Sequence, residues 1–249
     1  MSLYNADKKD DIEKLKRMLI DSDNTVFLTG AGMSTDSGIP DFRGSRGIYT
    51  VSEEDSPEYL ISRECLICEP EKFFDNYRTK LLYPDAVPNR GHYALAELEK
   101  QGLIQELITQ NIDTLHERAG SRNVIKLHGT TSRNYCVRCG KEYPAGFIGQ
   151  TTGIPHCSCG GIVRPDVVLY GEGVPEKIYT AAENAAYDAK LMVVVGSSLA
   201  VNTAASIVRC FGGGHLVIIN RTPTSYDRYA DLVIHGEISD ILPALCEND

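Results

Sequence analysis

The chain has 249 residues, of which 42% are apolar, and its formal net charge is −9. This length and composition allow a full hydrophobic core, with or without a smaller accompanying domain. The negative charge argues against a protein that binds nucleic acid through its phosphates, because such proteins present a basic face. No apolar stretch approaches the roughly 18 residues needed to span a bilayer, and the polar N-terminus lacks the apolar core of a signal peptide. We therefore expect a cytoplasmic protein that binds neither membranes nor nucleic acid directly.

The apolar pattern predicts alternating helices and strands along most of the chain. Ile12, Leu15 and Leu19 recur at helical spacing, and the continuous apolar run at 25–29 predicts a strand covered on both faces. Further runs predict strands at 104–109, 124–127, 167–169, 191–195, 216–219 and 232–234. Helical patterns lie between them at 92–101, 113–119, 175–189 and 202–210. Such alternation predicts an α/β fold with a parallel sheet and right-handed crossovers.

Two stretches interrupt this alternation. Residues 44–90 have a helical pattern, and residues 130–164 are rich in cysteine and in glycine turns. We expect them to fold together as a small domain beside the sheet. The sheet domain would then comprise residues 1–43, 91–129 and 165–249.

Four cysteines within the second stretch form two close pairs, Cys-x-x-Cys and Cys-x-Cys. They are Cys136, Cys139, Cys157 and Cys159. Four soft ligands at this spacing predict a tetrahedral zinc site, and four thiolates leave no open position for a catalytic water. The metal should therefore be structural. Cys65 and Cys68 form another pair, but no partner pair lies nearby, so we interpret them as packing or exposed thiols.

Glycines follow the first predicted strand in the sequence Gly-Ala-Gly at 30–32, where backbone amides can approach a pyrophosphate. The signal is weak alone, since Thr35 stands where a dinucleotide motif has its third glycine, and a simple turn is the alternative. Gly38, Pro40 and Gly44 then interrupt any following helix and predict a long loop. Such a loop can place an aromatic ring, a carboxylate and a guanidinium over a cofactor.

Polar residues also follow the other predicted strands. The segment Thr-Gln-Asn-Ile-Asp at 109–113 follows one strand, although Asn111 or Asp113 can instead be interpreted as a helix cap. His128 follows another strand, and alone it is more often a hydrogen-bonded structural residue than a base. Gly-Ser-Ser at 196–198 and Asn220 follow two more. In an open parallel sheet, ligands bind at the carboxyl ends of the strands, so these groups should surround one site.

Together these motifs resemble the sirtuin family, the NAD-dependent protein lysine deacylases, in the family's order and over almost the whole chain. The matching segments are 30–34, 41–43, 109–113, 127–129, the four cysteines, 168–172, 196–198 and Asn220. The resemblance implies one catalytic unit, 1–249, in which a Rossmann-like NAD-binding domain accompanies a small domain made of a helical insert and a zinc ribbon. It also implies NAD and zinc as cofactors, and acetyl-lysine proteins or peptides as substrates.

In sirtuins the acyl-lysine carbonyl oxygen attacks the nicotinamide ribose and expels nicotinamide. By resemblance, His128 is then the general base on a ribose hydroxyl, while Asn111 and Asp113 hold the ribose and the carboxamide. The remaining implied NAD contacts are Ala31, Gly32, Thr35, Phe42, Arg43, Gln110, Ile112, Gly196, Ser197, Ser198, Asn220 and, more loosely, Ile238. The substrate peptide would pair as an added strand with residues 168–174, and its implied contacts are Val168, Gly171 and Glu172.

The acyl group is predicted from a departure within the helical insert. Family members that remove acidic acyl groups carry Tyr-x-x-Arg there, whereas this chain has Phe74 and Tyr77, with Arg78 one residue away. We therefore predict removal of acetyl groups, giving nicotinamide, 2'-O-acetyl-ADP-ribose and free lysine. The alternatives are a preference for longer uncharged acyl groups and mono-ADP-ribosyl transfer. A hydride-transferring dehydrogenase and a zinc-ribbon binding module are more distant alternatives.

Overall fold

The structure is a computed structural model that describes residues 6–41 and 55–247. Its larger sheet has six strands in the order β3-β2-β1-β7-β8-β9, and every neighbouring pair is parallel. Its smaller sheet has three antiparallel strands in the order β5-β4-β6. The strands are β1 Thr25–Thr29, β2 Glu106–Thr109, β3 Val124–Lys126, β4 Gly129–Cys136, β5 Glu142–Pro144, β6 Val163–Val167, β7 Leu191–Val195, β8 His215–Asn220 and β9 Leu232–His235.

Helices cover both faces of the six-stranded sheet, which explains why its strands are apolar without alternation. The α-helices are α1 Ala6–Asp21, α2 Pro57–Leu60, α3 Arg63–Cys68, α4 Pro70–Lys80, α5 Arg90–Lys100, α6 Leu115–Ala119, α7 Gly146–Gly149, α8 Glu176–Asp188, α9 Asn202–Arg209 and α10 Ile238–Ala244. Phe27 of β1 packs in a core with residues of α1, α5 and α10. Its neighbours Val26 and Leu28 point to the opposite face and pack with residues of α8 and α9.

The predicted parallel α/β fold is confirmed, with one wrong strand assignment. The run at 167–169 is not a strand of the parallel sheet, because β6 ends at Val167 and pairs antiparallel with β4. Val167 and Leu169 are apolar for another reason: they pack in a third core with Phe73 and Phe74 of α4. A continuous apolar run does not by itself identify the core that buries it.

The described part of the helical insert also differs in one detail from its sequence pattern. Residues 64–74 have a helical pattern, and the chain divides them between α3 and α4 with a break at Glu69. Pro70 causes this break, since a proline disfavours the helical conformation of the residue before it. Within the described residues, no helix is long and apolar enough to cross a membrane. The domain boundaries stay predictions, and the small sheet extends beyond 130–164 at both ends.

Candidate active site at the strand ends

The carboxyl ends of β1, β2, β7 and β8 meet at a cavity of about 1070 Å³. The predicted site residues that line it are Ala31, Gly32, Thr35, Gln110, Asn111, Ile112, Asp113, His128, Val168, Gly171, Glu172, Gly196, Ser197, Ser198, Asn220 and Ile238. Phe42 and Arg43 lie outside the described residues. Segments that are distant in sequence thus share one cavity, as strand-end positions in a parallel sheet require.

Two glycine turns pack against each other at the floor of the cavity. The N–H of Gly32 donates to the carbonyl oxygen of Gly196 over 2.9 Å. A Cβ atom on Gly32 would lie 2.9 Å from the Cα atom of Gly196, and Gly196 itself has φ +60. Any side chain at Gly32 would therefore push the two turns apart. Glycine is needed here for this backbone contact as well as for any approach of a pyrophosphate.

A short helix begins within the glycine motif and stops at Gly38, the first of the predicted interruptions, and most of the long loop predicted beyond it lies outside the described residues. Ala31–Ser37 form a 3-10 helix, which ends at Gly38 in the left-handed conformation, with φ 85. The Thr35 hydroxyl donates to the carbonyl oxygen of Gly32 over 3.0 Å and holds the first turn. Thr35, at the position of the missing third glycine, thus stabilises the turn and also lines the cavity.

A hydrogen-bonded triad joins the glycine segment to the polar segment that follows β2. Ser34 Oγ donates to Asp113 Oδ2 over 2.8 Å, and Asn111 Nδ2 donates to Ser34 Oγ over 3.1 Å. Burial raises the pKa of Asp113, against the opposing effects of hydrogen bonds from the Leu115 N–H and the Ser34 hydroxyl. Thr114 is the N-cap of α6, but the Asp113 side chain accepts the N–H of Leu115, the first helical residue, so support of the helix start and a position at the cavity are compatible.

A second link crosses from β2 to β7. Gln110 Nε2 donates to Ser197 Oγ over 2.7 Å, and Ser197 Oγ also accepts the N–H of Leu199 over 3.2 Å. Ser197 is buried while Ser198 is exposed. Asn220, at the end of β8, lines the cavity, and its Nδ2 atom donates to the carbonyl oxygen of Thr222.

His128 is oriented by the carbonyl oxygen of Gln110, which lies 2.9 Å from His128 Nδ1. A carbonyl oxygen only accepts, so Nδ1 carries the proton and Nε2 keeps its lone pair. Burial lowers the pKa of His128, and the hydrogen bond to the Gln110 carbonyl only partly opposes this effect. The imidazole is therefore neutral near pH 7, with an unprotonated Nε2, in a residue that lines the cavity.

The predicted peptide-binding segment is held in place on both sides. The N–H of Val168 donates to the His128 carbonyl oxygen over 2.9 Å. Glu172 receives two hydrogen bonds from Arg164, over 2.5 and 2.9 Å, and its Oε2 atom also accepts the N–H of Leu169 over 3.0 Å. The N–H of Tyr170 donates to a carbonyl oxygen of the helical insert over 3.2 Å. The segment is thus tied to His128, to β6 and to the helical insert.

The four predicted zinc ligands converge. The Sγ atoms of Cys136, Cys139, Cys157 and Cys159 all lie within 4.8 Å of one another. The separation is 3.5 Å between Cys136 and Cys159, and 3.6 Å between Cys139 and Cys157. Tetrahedral zinc with Zn–S bonds near 2.3 Å requires sulfur atoms about 3.8 Å apart, so these residues fit zinc. The Cys-x-Cys pair, although one residue shorter than the Cys-x-x-Cys pair, therefore brings both of its sulfur atoms into the site.

The pKa values of two of these cysteines are shifted in opposite directions. The N–H of Cys159 and the Tyr143 hydroxyl lower the pKa of Cys157 to about 5. The N–H of Gly161 favours the Cys159 thiolate, but burial and the neighbouring sulfur atoms outweigh it and raise the pKa of Cys159 to about 12. Thiols this close repel one another once ionised, and a divalent cation removes that repulsion.

Several cavity residues are missing from the sequence-based prediction. Ser34 lies at the centre of the triad, and its only sequence signal is its place in the glycine motif. The helical insert contributes residues 80–84, and the segment before and within α7 contributes Ala145, Gly146 and Gly149. These positions have no motif, because their contribution depends on how the insert packs beside the sheet.

The structure also places the residues used to predict the acyl group. Phe74 and Tyr77 are fully buried in the core of the insert. Arg78 donates to the carbonyl oxygens of Ile148 and Gly153 and to the Thr151 hydroxyl. None of these three side chains is among the residues that line the cavity. Arg78, one residue from the position of the arginine in the Tyr-x-x-Arg motif, thus binds α7 and the turn after it.

The fold and site define a nucleotide-binding α/β enzyme with a structural zinc module. Residues 30–203 match the model of the Sir2 family, and the chain belongs to this family. It is 51% identical over 236 residues to an NAD-dependent protein deacetylase of Cutibacterium acnes, covering 94% of this chain and 96% of the relative. A deacetylase of the same name from Staphylococcus epidermidis is 44% identical over 245 residues, covering 97% of this chain and 99% of the relative.

Solved structures agree with this assignment. A Sir2 protein with a p53 peptide and NAD+ has a TM-score of 0.84 and 38% identity, covering 93% of this chain and 95% of that chain. A Sir2 variant with a deacetylated p53 peptide and 3'-O-acetyl ADP-ribose has a TM-score of 0.88 and 38% identity, covering 94% and 96%.

Proposed function

We propose that the strand-end cavity is the active site in which this chain removes acetyl groups from protein lysine side chains with consumption of NAD. Membership of the Sir2 family and the deacetylase relatives support the activity. The observation that carries the proposal is the 2.9 Å contact between His128 Nδ1 and the Gln110 carbonyl oxygen, which requires the proton on Nδ1 and so leaves the lone pair on Nε2 of a cavity residue. The products are nicotinamide, 2'-O-acetyl-ADP-ribose and free lysine.

The donor set of the cavity fits NAD, which supplies an electrophilic ribose carbon and nicotinamide as the leaving group. Asn111 and Asp113 are positioned through Ser34 to orient the ribose and the carboxamide, with Ile112 beside them. Gln110 and Ser197 form a fixed polar pair for the ribose and phosphates. The remaining proposed NAD contacts are Ala31, Gly32, Thr35, Phe42, Arg43, Gly196, Ser198, Asn220 and Ile238.

His128 is proposed as the general base on a ribose hydroxyl. Its lowered pKa keeps the imidazole neutral near pH 7, which is the protonation state that a base requires. Because Nδ1 is engaged, the proton is taken up at Nε2. The resulting imidazolium would be stabilised by the carbonyl oxygen of Gln110, which already accepts the Nδ1 proton.

The acetyl-lysine peptide is proposed to add as a strand beside residues 168–174, with contacts at Val168, Gly171 and Glu172. Binding through the backbone reads side chains weakly, so many lysine sites would be accepted. The bond from the Val168 N–H to the His128 carbonyl supports this position, because it joins the segment to the residue of the proposed base. The zinc ion, held by its four cysteines, is proposed to keep β4 and β6 aligned rather than to take part in the reaction.

Acetyl and other uncharged acyl groups are the proposed substrates, because Arg78 is engaged away from the cavity. One similar Sir2 structure, at 37% identity and a TM-score of 0.83, is bound to a propionylated peptide, so a slightly longer chain fits that relative. Removal of a succinyl group as fast as an acetyl group would contradict this part of the proposal. A cytoplasmic location stays a prediction, and it is consistent with the four cysteines serving as reduced thiolate ligands.

The test is mass spectrometry of an acetyl-lysine peptide incubated with the purified protein, with and without NAD, beside propionyl and succinyl versions of the same peptide. We expect free lysine peptide and O-acyl-ADP-ribose to form from the acetyl and propionyl peptides, and only when NAD is present. If the peptide stays acylated while ADP-ribose becomes attached to protein, the activity is ADP-ribosyl transfer instead.

A further inference from the structure

Two buried histidines, His92 of α5 and His116 of α6, have no part in the proposed reaction. They are 0% and 1% exposed, and their ring centroids lie 4.9 Å apart. Burial lowers the pKa of His92 to about 4 and that of His116 to about 3. Both rings are thus neutral at physiological pH, and neither residue lines the cavity.

His116 connects to the active site through two threonines. Its Nε2 atom lies 3.0 Å from Thr29 Oγ1, and Thr29 Oγ1 donates to Thr109 Oγ1 over 2.9 Å. Thr109 Oγ1 also accepts the N–H of Asn111 over 3.1 Å. Thr29 ends β1 and Thr109 ends β2. His116 is therefore linked, through Thr29 and then Thr109, to the two strand ends from which the glycine turn and the segment with Asn111 depart.

His92 connects to the glycine segment through Asn89, the N-cap of α5. The N–H of Asn89 donates to His92 Nδ1 over 3.3 Å. The Asn89 side chain donates in turn to the Met33 carbonyl oxygen over 2.9 Å and to the Ser37 hydroxyl over 3.1 Å. His92 thus helps to orient the residue that holds the 3-10 helix Ala31–Ser37.

The outer hydrogen bonds give the two rings complementary inner atoms. Because His92 Nδ1 accepts, its Nε2 carries the proton. Because the Thr29 hydroxyl proton points to Thr109, His116 Nε2 donates and His116 Nδ1 keeps a lone pair. These two inner nitrogens are buried, and neither has a hydrogen-bond partner among the described residues. The contact between the rings brings the hydrogen bonds on the Asn89 side next to those that lead to Asn111.

We propose that His92 and His116 form a buried positioning unit that sets Asn111 and the glycine-segment helix for NAD binding and nicotinamide expulsion. This inference rests on the proposed function, which places Asn111 at the nicotinamide ribose. The unit lies behind the strand ends, whereas the peptide segment is held by Arg164, Glu172 and the helical insert. Loss of the positioning unit should therefore impair NAD binding and nicotinamide expulsion, while peptide binding stays unchanged.

The experiment compares His116→Leu with His116→Gln in the full-length, zinc-loaded protein. Glutamine places an amide N–H near the position of His116 Nε2 and keeps the bond to Thr29, whereas leucine fills the space without a donor. We expect His116→Leu to lower kcat/KM for NAD by about tenfold to a hundredfold, because small misplacements of reacting groups have effects of that size. KM for the peptide should change less than about twofold, and His116→Gln should restore most of the loss. His215→Gln, at the exposed start of β8, is the surface control.

Thr29→Val removes the same connection with little change in volume, and it decides the question if His116→Leu does not fold. NAD affinity measured by calorimetry accompanies the kinetics. Folded His116→Leu or Thr29→Val with wild-type constants overturns the inference, as does equal impairment of His116→Gln and His116→Leu, which would indicate packing alone. If the wild-type protein binds NAD without deacetylating the peptide, the proposed function fails, and the NAD affinities of the variants still test the positioning unit.

Discussion

The two sheets of this protein are held together by different means. The six-stranded sheet lies between two large apolar cores, one on each face. Among the described residues, the core at the zinc end of the three-stranded sheet has three buried apolar residues, Cys136, Cys157 and Val163, and two of them belong to the four-sulfur cluster. The first region can fold on apolar burial, whereas the second depends on a metal. The proposed reaction site lies at the strand ends of the first region, and the second region is connected to the proposed peptide segment through β6.

The largest effect should come from removing the proposed base at the strand ends. We expect His128→Ala to lower deacetylation by between about a hundredfold and ten-thousandfold, the range for a lost general base. The fold and NAD affinity should remain, since the base acts after binding. Circular dichroism, calorimetry and product analysis together check this prediction, with His215→Ala as the control. Unchanged deacetylation by His128→Ala would show that another group accepts the proton.

Removal of a zinc ligand should unfold the three-stranded sheet before the six-stranded sheet. We expect Cys139→Ser to abolish stoichiometric zinc and to lower the melting temperature by more than about 5 °C. Deacetylation should fall as well, because β4 and β6 carry the peptide segment. Cys68→Ser is the matched control, since both thiols are exposed but only Cys139 belongs to the four-sulfur cluster. A folded, zinc-free enzyme whose turnover is restored by zinc without a change in stability would indicate a catalytic metal instead.

A smaller and more selective effect is expected at the connection between the two regions. Glu172→Gln weakens the paired bonds from Arg164 that hold the peptide segment. We expect KM for the peptide to rise by about tenfold, equivalent to about 1.4 kcal/mol of binding. The NAD constant should stay within about twofold. Steady-state kinetics with Glu176→Gln, an exposed carboxylate nearby, provide the check. An equal change in the peptide and NAD constants would show that Glu172 contributes to the stability of the fold and not specifically to peptide binding.

Acid should destabilise the sheet region gradually through the buried histidines. The folded-state pKa values, about 4 for His92 and about 3 for His116, lie below the usual value of 6.5. The unfolded chain therefore binds more protons below pH 6.5, and stability that is complete above this pH is lost as the pH falls toward these values. The slope is about 1.4 kcal/mol per pH unit for each histidine.

Urea unfolding between pH 7 and pH 5 measures that slope. His92→Gln should make it shallower, because it removes one of the buried histidines with a lowered pKa, of which His116 and His128 remain. Lys126 contributes to the low pKa of His116, so its replacement should have a smaller effect in the same direction. A slope in His92→Gln as steep as in the wild type would show that other groups control the acid sensitivity.

Features of the fold and site that follow from local sequence were predictable, whereas those that depend on long-range packing were not. Strand-end residues such as Gln110 and His128 were predictable, because a parallel sheet brings the carboxyl ends of its strands to one edge. The four cysteines were predictable from ligand chemistry and spacing. The positions of β6 and of residues 80–84 were not, since they depend on packing between segments far apart in sequence. His92 and His116 carry no motif, and their connection to Asn111 is visible only through the threonines at the ends of β1 and β2.

The most direct test of the account is the product balance of a single turnover with an acetyl-lysine peptide, NAD and excess enzyme. Nicotinamide, free lysine peptide and O-acetyl-ADP-ribose should form in equal molar amounts, and His128→Ala should release nicotinamide without a matching amount of lysine peptide. NADH, or ADP-ribose bound to protein in place of O-acetyl-ADP-ribose, would contradict a deacetylase site at the strand ends.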